Sequence, residues 1–450
     1  MQIFVRDRLF YKNVVALAIP VVLQSLITIG VNMMDTLMLG SFGEMQLSGS
    51  SLANEFINIF QFMCMGMGYG AAVLTAQYWG AGNITAFKKV VTIMLRLCLA
   101  VGLLFSLVTL AVPEGIMGIY TNDPGIINKG TLYFRISAFA YIPTGLSLTL
   151  TAILRSVRQV NLPLITSIVA FFVNIFFNWI FIFGKLGAPR MEIAGAALGT
   201  LIARLVEMGI NAGYFLFIDK KIGYRLKDIF MKCSDHLKLY VTYCIPVLIS
   251  DTLLSLGNNA VSVIMGHIGA SFVAANAIVA QVVRMSTVFN QGLSNASSVM
   301  TGNTLGEGNT KKAYRQGITF LALSVIIGVA AGGVILAICP LVVGGFNITE
   351  ETRAIADQLM VAVAIMVIFQ TTQSVLTKGV LRGGGDTRFL MVADILFLWL
   401  VSIPLGYLCG LVLHLPAFWI YVSLKTDWII KSGWCSVRLV RGKWVKRVTQ

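Results

Sequence analysis

IPVVLQSLITIGVNMMDTLMLGSFG runs from Ile19 to Gly43, and its pattern returns without a gap as IPVLISDTLLSLGNNAVSVIMGHIG, Ile245 to Gly269. The offset is 226 residues, and Ile19/Ile245, Pro20/Pro246, Val21/Val247, Asn32/Asn258, Gly40/Gly266 and Gly43/Gly269 are identical. The same offset lays GAGN, Gly80 to Asn83, on GEGN, Gly306 to Asn309. An offset of 227 lays Leu154-Arg155 on Leu381-Arg382. Three matches in one order, at nearly one spacing, mark an internal repeat: the chain is two like halves.

Both copies of the stretch are apolar, and so is the whole chain. Of 450 residues, 57% are hydrophobic and only 12% charged, and the mean hydropathy is +0.82. Soluble domains carry about 25% charged residues, so this composition belongs to an integral membrane protein. Twelve apolar runs lie near 14–40, 52–79, 90–112, 131–153, 162–184, 192–217, 239–267, 272–300, 316–340, 355–380, 389–413 and 415–437. Each reaches the roughly 20 residues that cross a bilayer core as a helix. None alternates with the period of two that a barrel strand shows. The expected fold is therefore an all-α membrane protein with twelve transmembrane helices in two six-helix lobes. Residues 1–218 make the first lobe, 219–238 a cytoplasmic linker, and 239–450 the second lobe with its basic tail. Six spans is an even number, so the lobes share one orientation and form a parallel repeat.

The net charge of +15 could suggest nucleic acid, but its distribution does not. Arg6, Arg8 and Lys12 precede span 1; Lys88 and Lys89 follow span 2; Arg155 and Arg158 follow span 4. The linker holds Lys220, Lys221, Arg225, Lys227, Lys232 and Lys238. Lys311, Lys312 and Arg315 follow span 8, Arg382 and Arg388 follow span 10, and the tail is basic again. Loops of the other parity hold only Lys129, Lys185, Arg190 and Arg353. By the positive-inside rule, both termini face the cytoplasm of a multi-pass protein of the cell (inner) membrane. The opening residues read as a basic, amphipathic lead-in to span 1 rather than a cleavable signal. The seven cysteines are scattered, with no CxxC pair and no metal-ligand spacing to the three histidines, and read as small apolar residues. There is no Walker A loop, nucleophile triad or HExxH. Direct ATP coupling, enzyme activity and a bound cofactor are not expected.

The IP start of spans 1 and 7, the acid in span 1, GxGN after spans 2 and 8, the LR turn after spans 4 and 10, and GAALGT at Gly195 to Thr200 together resemble the multidrug and toxic compound extrusion family, MATE. The resemblance covers the whole chain, and its details look most like the DinF-like bacterial branch. It implies two six-helix lobes in a V. It also implies export of organic, often cationic compounds against H+ or Na+ entry. The expected partners are small organic substrates and the lipid bilayer, with no nucleic acid, and the protein is expected to be a monomer. The runner-up is a flippase for a lipid-linked saccharide or other lipid precursor.

Why does so apolar a stretch keep Asp35? At 100° per residue, Gln24, Thr28, Asn32 and Asp35 fall within an arc of about 80°. They form one polar stripe that cannot favourably face lipid. A carboxylate at a helix centre costs ~2.5–3.5 kcal/mol on insertion scales, so function or a buried partner is expected. The resemblance places the amino-lobe proton or cation acid in this span. Asn54, Asn58 and Gln61 share a face of span 2, Asn174 and Asn178 share one of span 5, and Thr200 lies in span 6. These can supply oxygens to a hard cation, contacts to a cationic substrate, or interhelical glue. The archaeal-type family pattern has an Asp where this chain has Asn178, which leaves Asp35 as the main acid.

Span 7 has its own stripe: Asp251, Ser255, Asn258 and Ser262 lie within an arc of about 60°. Arg284 in span 8, Asp394 in span 11, and Lys425 and Asp427 in span 12 add charges. Two expectations compete. One is a fixed structural ion-pair network; the other is a coupling site in which Asp251 or Asp394 exchanges Lys425 for H+ or Na+. Na+ at Asp35 or Asp251 is the only metal ion considered, and no fixed metal site is expected. Arg204 and Glu207, three apart in span 6, are expected to pair locally. Methionines such as Met33, Met34, Met63, Met65 and Met67 suit either lipid contact or adaptable ligand binding.

Overall fold

A computed structural model of the protein describes residues 4–41, 43–344 and 348–447. Among them there is no strand. Eleven helices are long and apolar enough to cross a bilayer: Arg8–Gly40, Met45–Gly80, Ile84–Ala111, Pro124–Ser156, Asn161–Phe183, Ile193–Ile218, Ser234–Ile268, Ser271–Gly306, Thr310–Gly344, Glu350–Gly383 and Thr387–Val412. These are spans 1 to 11. Hydrocarbon offers the backbone no hydrogen bonds, so apolar runs of this length satisfy their own N–H and C=O groups as helices.

The twelfth run departs from the sequence expectation of one helix over 415–437. It is two helices, Ala417–Leu424 and Thr426–Val440, that meet at Lys425. Lys425 leaves helical angles (φ −119°, ψ 17°), and the N–H of Asp427 donates to Ser402 Oγ at 2.7 Å. A side chain of span 11 thus satisfies a backbone group at the break, which is the condition for broken helices at membrane depth.

The chain forms two compact units. One is Met1–Val22, Ala76–Gly82 and Ile245–Gln450; the other is Leu23–Thr75 and Asn83–Cys244. In the first unit, the GxGN motifs explain why the carboxy-terminal end of span 2 groups with the carboxy half. A Cβ on Gly80 would lie 2.0 Å from Asn303 O, and one on Gly306 would lie 2.0 Å from Gln77 O. The side chain of Asn303 donates to Ala76 O at 2.9 Å. The second glycines, Gly82 (φ 71°) and Gly308 (φ 83°), take left-handed turns. The asparagines then cap the next helix: Asn83 Oδ1 accepts from Ala86 N at 3.0 Å, and Asn309 Oδ1 from Lys312 N at 3.0 Å. Each four-residue motif is a close approach, a reversal and a cap.

In the same unit, the LRGGGD turn after span 10 anchors the basic tail rather than a phosphate. Asp386, 1% exposed, takes Arg438 Nε at 2.8 Å and Lys446 Nζ at 2.5 Å. Gly384 leaves room for the buried Trp444 ring, 2.4 Å from where its Cβ would stand.

In the second unit, Leu39, Ala53, Tyr133, Phe134, Ile182 and Ala197 belong to one apolar core. The segment from Asp219 to Cys233 packs on span 3. Lys88 pairs with Asp228 at 2.9 Å, Thr92 bonds the Tyr224 hydroxyl at 2.8 Å, and Arg96 donates to Ile229 O and Met231 O. Burial would raise the Asp228 carboxyl, but bonds from Lys88 and the Arg225 N–H outweigh it and hold it below the usual range. Lys89 pairs with the exposed Asp235 at 2.5 Å.

Two predictions follow from this packing. Gly80→Ala and Gly306→Ala must push backbone apart and should each cost about 1–3 kcal/mol; Gly118→Ala, with nothing within 4 Å of its Cβ, should cost none. Thermal unfolding of the purified protein checks both. Because the folded Asp228 is depressed, its contribution is present above the unfolded value of about 3.9 and lost as pH falls through the folded one. Protease cleavage within 219–238 should stay flat from about pH 8 to 5 and rise only below about 4.

Candidate functional site

The polar stripe of span 1 is divided between two sites in the second unit. Asp35 is half-buried, and its Oδ1 accepts from Asn178 Nδ2 at 2.6 Å. The same amide nitrogen lies 3.2 Å from Asn174 Oδ1, and Asn174 Nδ2 donates to Thr200 Oγ1 at 3.3 Å. Spans 1, 5 and 6 therefore meet in one chain of hydrogen bonds. Asn174 and Asn178 are 2% and 0% exposed, and Asn178 Oδ1 is buried with no partner. GAALGT makes this approach possible. A Cβ on Gly199 would stand 2.2 Å from Asn178 Oδ1, and one on Gly195 would stand 2.5 Å from the Phe181 backbone. Arg204 is within electrostatic reach of Asp35 but is bonded to Glu207 at 2.7 Å, the local pair that the spacing suggests.

Gln24 is not part of that chain. It donates to Ser167 Oγ at 2.9 Å and accepts from Arg155 Nη2 at 2.5 Å. Thr28 and Asn32 are exposed, and the Thr28 hydroxyl is turned back onto Gln24 O. Asn54, also exposed, touches the Tyr133 hydroxyl at 3.5 Å, and Tyr133 lies within reach of the Asp35 charge. Asn58 is half-buried and makes no bond to the Asp35 network among the described residues. The structure thus brings together Asp35, Asn174, Asn178 and Thr200 and separates Gln24 from them. A stripe on one helix spans several turns, and different neighbours meet its ends.

The carboxy-half charges pair differently from the expectation. Lys425 is not the partner of Asp251 or Asp394. Its Nζ bonds Asn258 Oδ1 at 3.3 Å and lies 5.1 Å from the Trp428 ring centre. Asp251 is held by Arg382 through two bonds, at 2.9 and 3.4 Å. Asp394 and Asp427 clasp Lys431 at 3.2 and 2.9 Å, and all three are at most 4% exposed. Ser250 donates to the other oxygen of Asp394, and Ser402 to Asp427 Oδ1 at 3.2 Å. Arg284 is exposed and in no ion pair among the described residues. The break at Lys425 turns its side chain toward span 7, so the next lysine, one turn after Asp427, meets the buried acids. That Asp427-to-Lys431 spacing of four was the legible signal for this pair; Arg382, at the end of span 10, carried none.

Helices of bilayer length, an internal parallel repeat and a half-buried intramembrane acid held by an amide together define a multi-spanning carrier. The sequence model of the MatE family matches residues 20–180 and 246–408, one match in each half. The chain belongs to the MatE family of transporters. A protein described as probable multidrug resistance protein NorM from Thermotoga maritima is 25% identical over 440 residues, covering 97% of this chain and 93% of its own. A NorM protein of Agrobacterium fabrum is 26% identical over 412 residues, covering 88% and 86%. A MATE crystal structure in the bent conformation matches with TM-score 0.86 at 18% identity, over 96% of each chain. These names speak for the family and not for the DinF-like branch that the sequence details resemble.

Breaking a buried pair leaves an uncompensated charge and costs about 3–5 kcal/mol, whereas removing both partners costs far less. Lys431→Met and Asp251→Asn should each lower thermal stability in detergent. Lys431→Met combined with Asp394→Asn and Asp427→Asn should recover most of the loss from Lys431→Met alone. Stability unchanged in Lys431→Met would remove the structural role of the clasp.

Proposed function

We propose that the protein is a secondary active antiporter that exports amphipathic, often cationic organic compounds in exchange for H+ or Na+. The observation that supports this most is Asp35: a carboxylate in a bilayer-length helix, bonded to one amide nitrogen, beside an amide oxygen of Asn178 that lacks a donor. The ionised carboxylate is the right acceptor for Asn178 Nδ2. Once protonated, it becomes a donor, and the buried Asn178 Oδ1 is the acceptor that a turn of the same amide would present. One proton can therefore reverse a bond between spans 1 and 5. It also removes the negative charge that would attract an organic cation. Na+ would instead find hard oxygens on Asp35, Asn174, Asn178 and Thr200.

In this cycle the ion reaches Asp35 from outside and displaces the organic cation there. The ion then leaves to the cytoplasm, where both termini lie. One charge moved through 100 mV supplies ~2.3 kcal/mol. Asp251 and Asp394 remain the candidates for a second coupling site, each now read with its own cation, Arg382 or Lys431. The names of the relatives lend nothing to the flippase alternative.

The test uses purified protein in liposomes with a fluorescent organic cation and separate pH and Na+ gradients. Wild type should move the cation under one gradient, which names the ion. Asp35→Asn, at equal incorporation, should abolish that movement. Full gradient-driven movement in Asp35→Asn would overturn the role of Asp35, and no movement under either gradient would overturn the antiport reading.

A further inference from the structure

The two LR turns are built alike. Arg158 N donates to Arg155 O at 3.0 Å and Gln159 N to Leu154 O at 2.9 Å; Gly385 N donates to Arg382 O at 2.9 Å and Asp386 N to Leu381 O at 3.1 Å. Arg158 (φ 64°) and Gly385 (φ 80°) take the same left-handed step. Arg155 and Arg382 are therefore equivalent positions, 227 residues apart. The gap-free offset of 226 in spans 1 and 7 sets Gln24 on Ser250, one residue before Asp251, and the offset of 227 sets Ser167 on Asp394.

Each arginine is met from the same span of its half, span 1 or span 7, at positions one residue apart in the alignment, but the charges differ. Arg382 meets a carboxylate, Asp251, through two bonds. Arg155 meets the carboxamide oxygen of Gln24 at 2.5 Å, which in turn is held by Ser167. Its further polar neighbour is the Tyr69 hydroxyl. Its Nε is buried with no partner. The other arginine of the same unit's spans that faces inward, Arg204, has Glu207 at 2.7 Å. Among the described residues no carboxylate pairs with Arg155. A half-buried guanidinium in a membrane protein is costly until an anion answers it, and its planar fork fits a carboxylate or phosphate through two parallel bonds.

We propose that Arg155, steadied by Gln24 and Tyr69, is an anion-binding site of the amino half that takes the carboxylate or phosphate group of a ligand. The site is separate from Asp35: the two lie eleven residues apart on span 1 for Gln24 and Asp35, roughly 16 Å along a helix. It does not depend on the antiport reading, because binding is measured without a gradient.

Gln24→Glu supplies the countercharge that Asp251 supplies in the other half, with little change of shape. The full-length protein in detergent is titrated with two matched probe pairs: 1-naphthoate against 1-naphthamide, and dioctanoyl phosphatidic acid against dioctanoylglycerol. Wild type should bind the charged member of at least one pair tenfold or more tightly. Gln24→Glu should cut that preference below twofold while eluting as wild type does. Preference confined to the naphthoate pair assigns the site to a soluble organic anion; preference in the phosphate pair assigns it to a lipid headgroup. If Gln24→Glu does not fold, Arg155→Gln is read in the same way. Equal binding within both pairs by wild type, or a preference unchanged in the variant, would overturn the proposal.

Discussion

An ionisable group inside a bilayer-crossing helix must be answered by the protein, because hydrocarbon cannot solvate it. That constraint organises this molecule. Asp35 is answered by amides, Asp251 by a guanidinium, and Asp394 and Asp427 by one shared ammonium. Two of these answers tie together spans that are distant in sequence, and the third joins neighbouring ones. Span 1 is held to span 5 and span 7 to span 10, while spans 11 and 12 are held by a clasp. The break at Lys425 is part of the same solution, since it turns one lysine toward Asn258 and leaves the next to the buried acids.

The two halves solve the problem with opposite chemistry. The amino half uses neutral partners around Asp35: an amide can serve as donor or acceptor, so its bond can survive a change of protonation by reversing. The carboxy half uses paired full charges, with almost no exposure in the Asp394–Lys431–Asp427 clasp, which is a stiffer arrangement, because removing either charge strands the other. A repeat that arose from one pattern has thus placed an adaptable polar site in one half and a fixed ion-pair cluster in the other. Glycine makes both possible. Gly199 leaves space for Asn178 Oδ1, and Gly257 for the Leu398 side chain, in each case where a Cβ would stand within 2.3 Å.

Much of this was legible in the chain itself. Hydrophobic run length marked the eleven bilayer-length helices, because a bilayer of fixed thickness leaves few alternatives, but not the break that splits the twelfth run at Lys425. Recurrence of IPV, GxGN and LR determined the repeat, and an even span count its parallel sense. The position of Asp35 within an apolar run marked a site, since no lipid-facing helix surface favours a carboxylate. GxGN was visible as a motif, although its physical content, two glycines approaching opposing carbonyls, was not.

Tertiary structure alone decided who meets whom. The stripe from Gln24 to Asp35 is one face of one helix, yet its ends face different neighbours, because a helix of 33 residues outruns any single contact. Lys425 and Lys431 are both in the twelfth run, and only the break in that run sets which of them reaches Asp394. Arg155 and Arg382 share a motif, a turn and a place in the repeat. Only side chains brought in from another span, Gln24 in one half and Asp251 in the other, decide that one is neutralised and the other is not. Composition and spacing fix what a helix must bury; the partner that satisfies it is a property of packing.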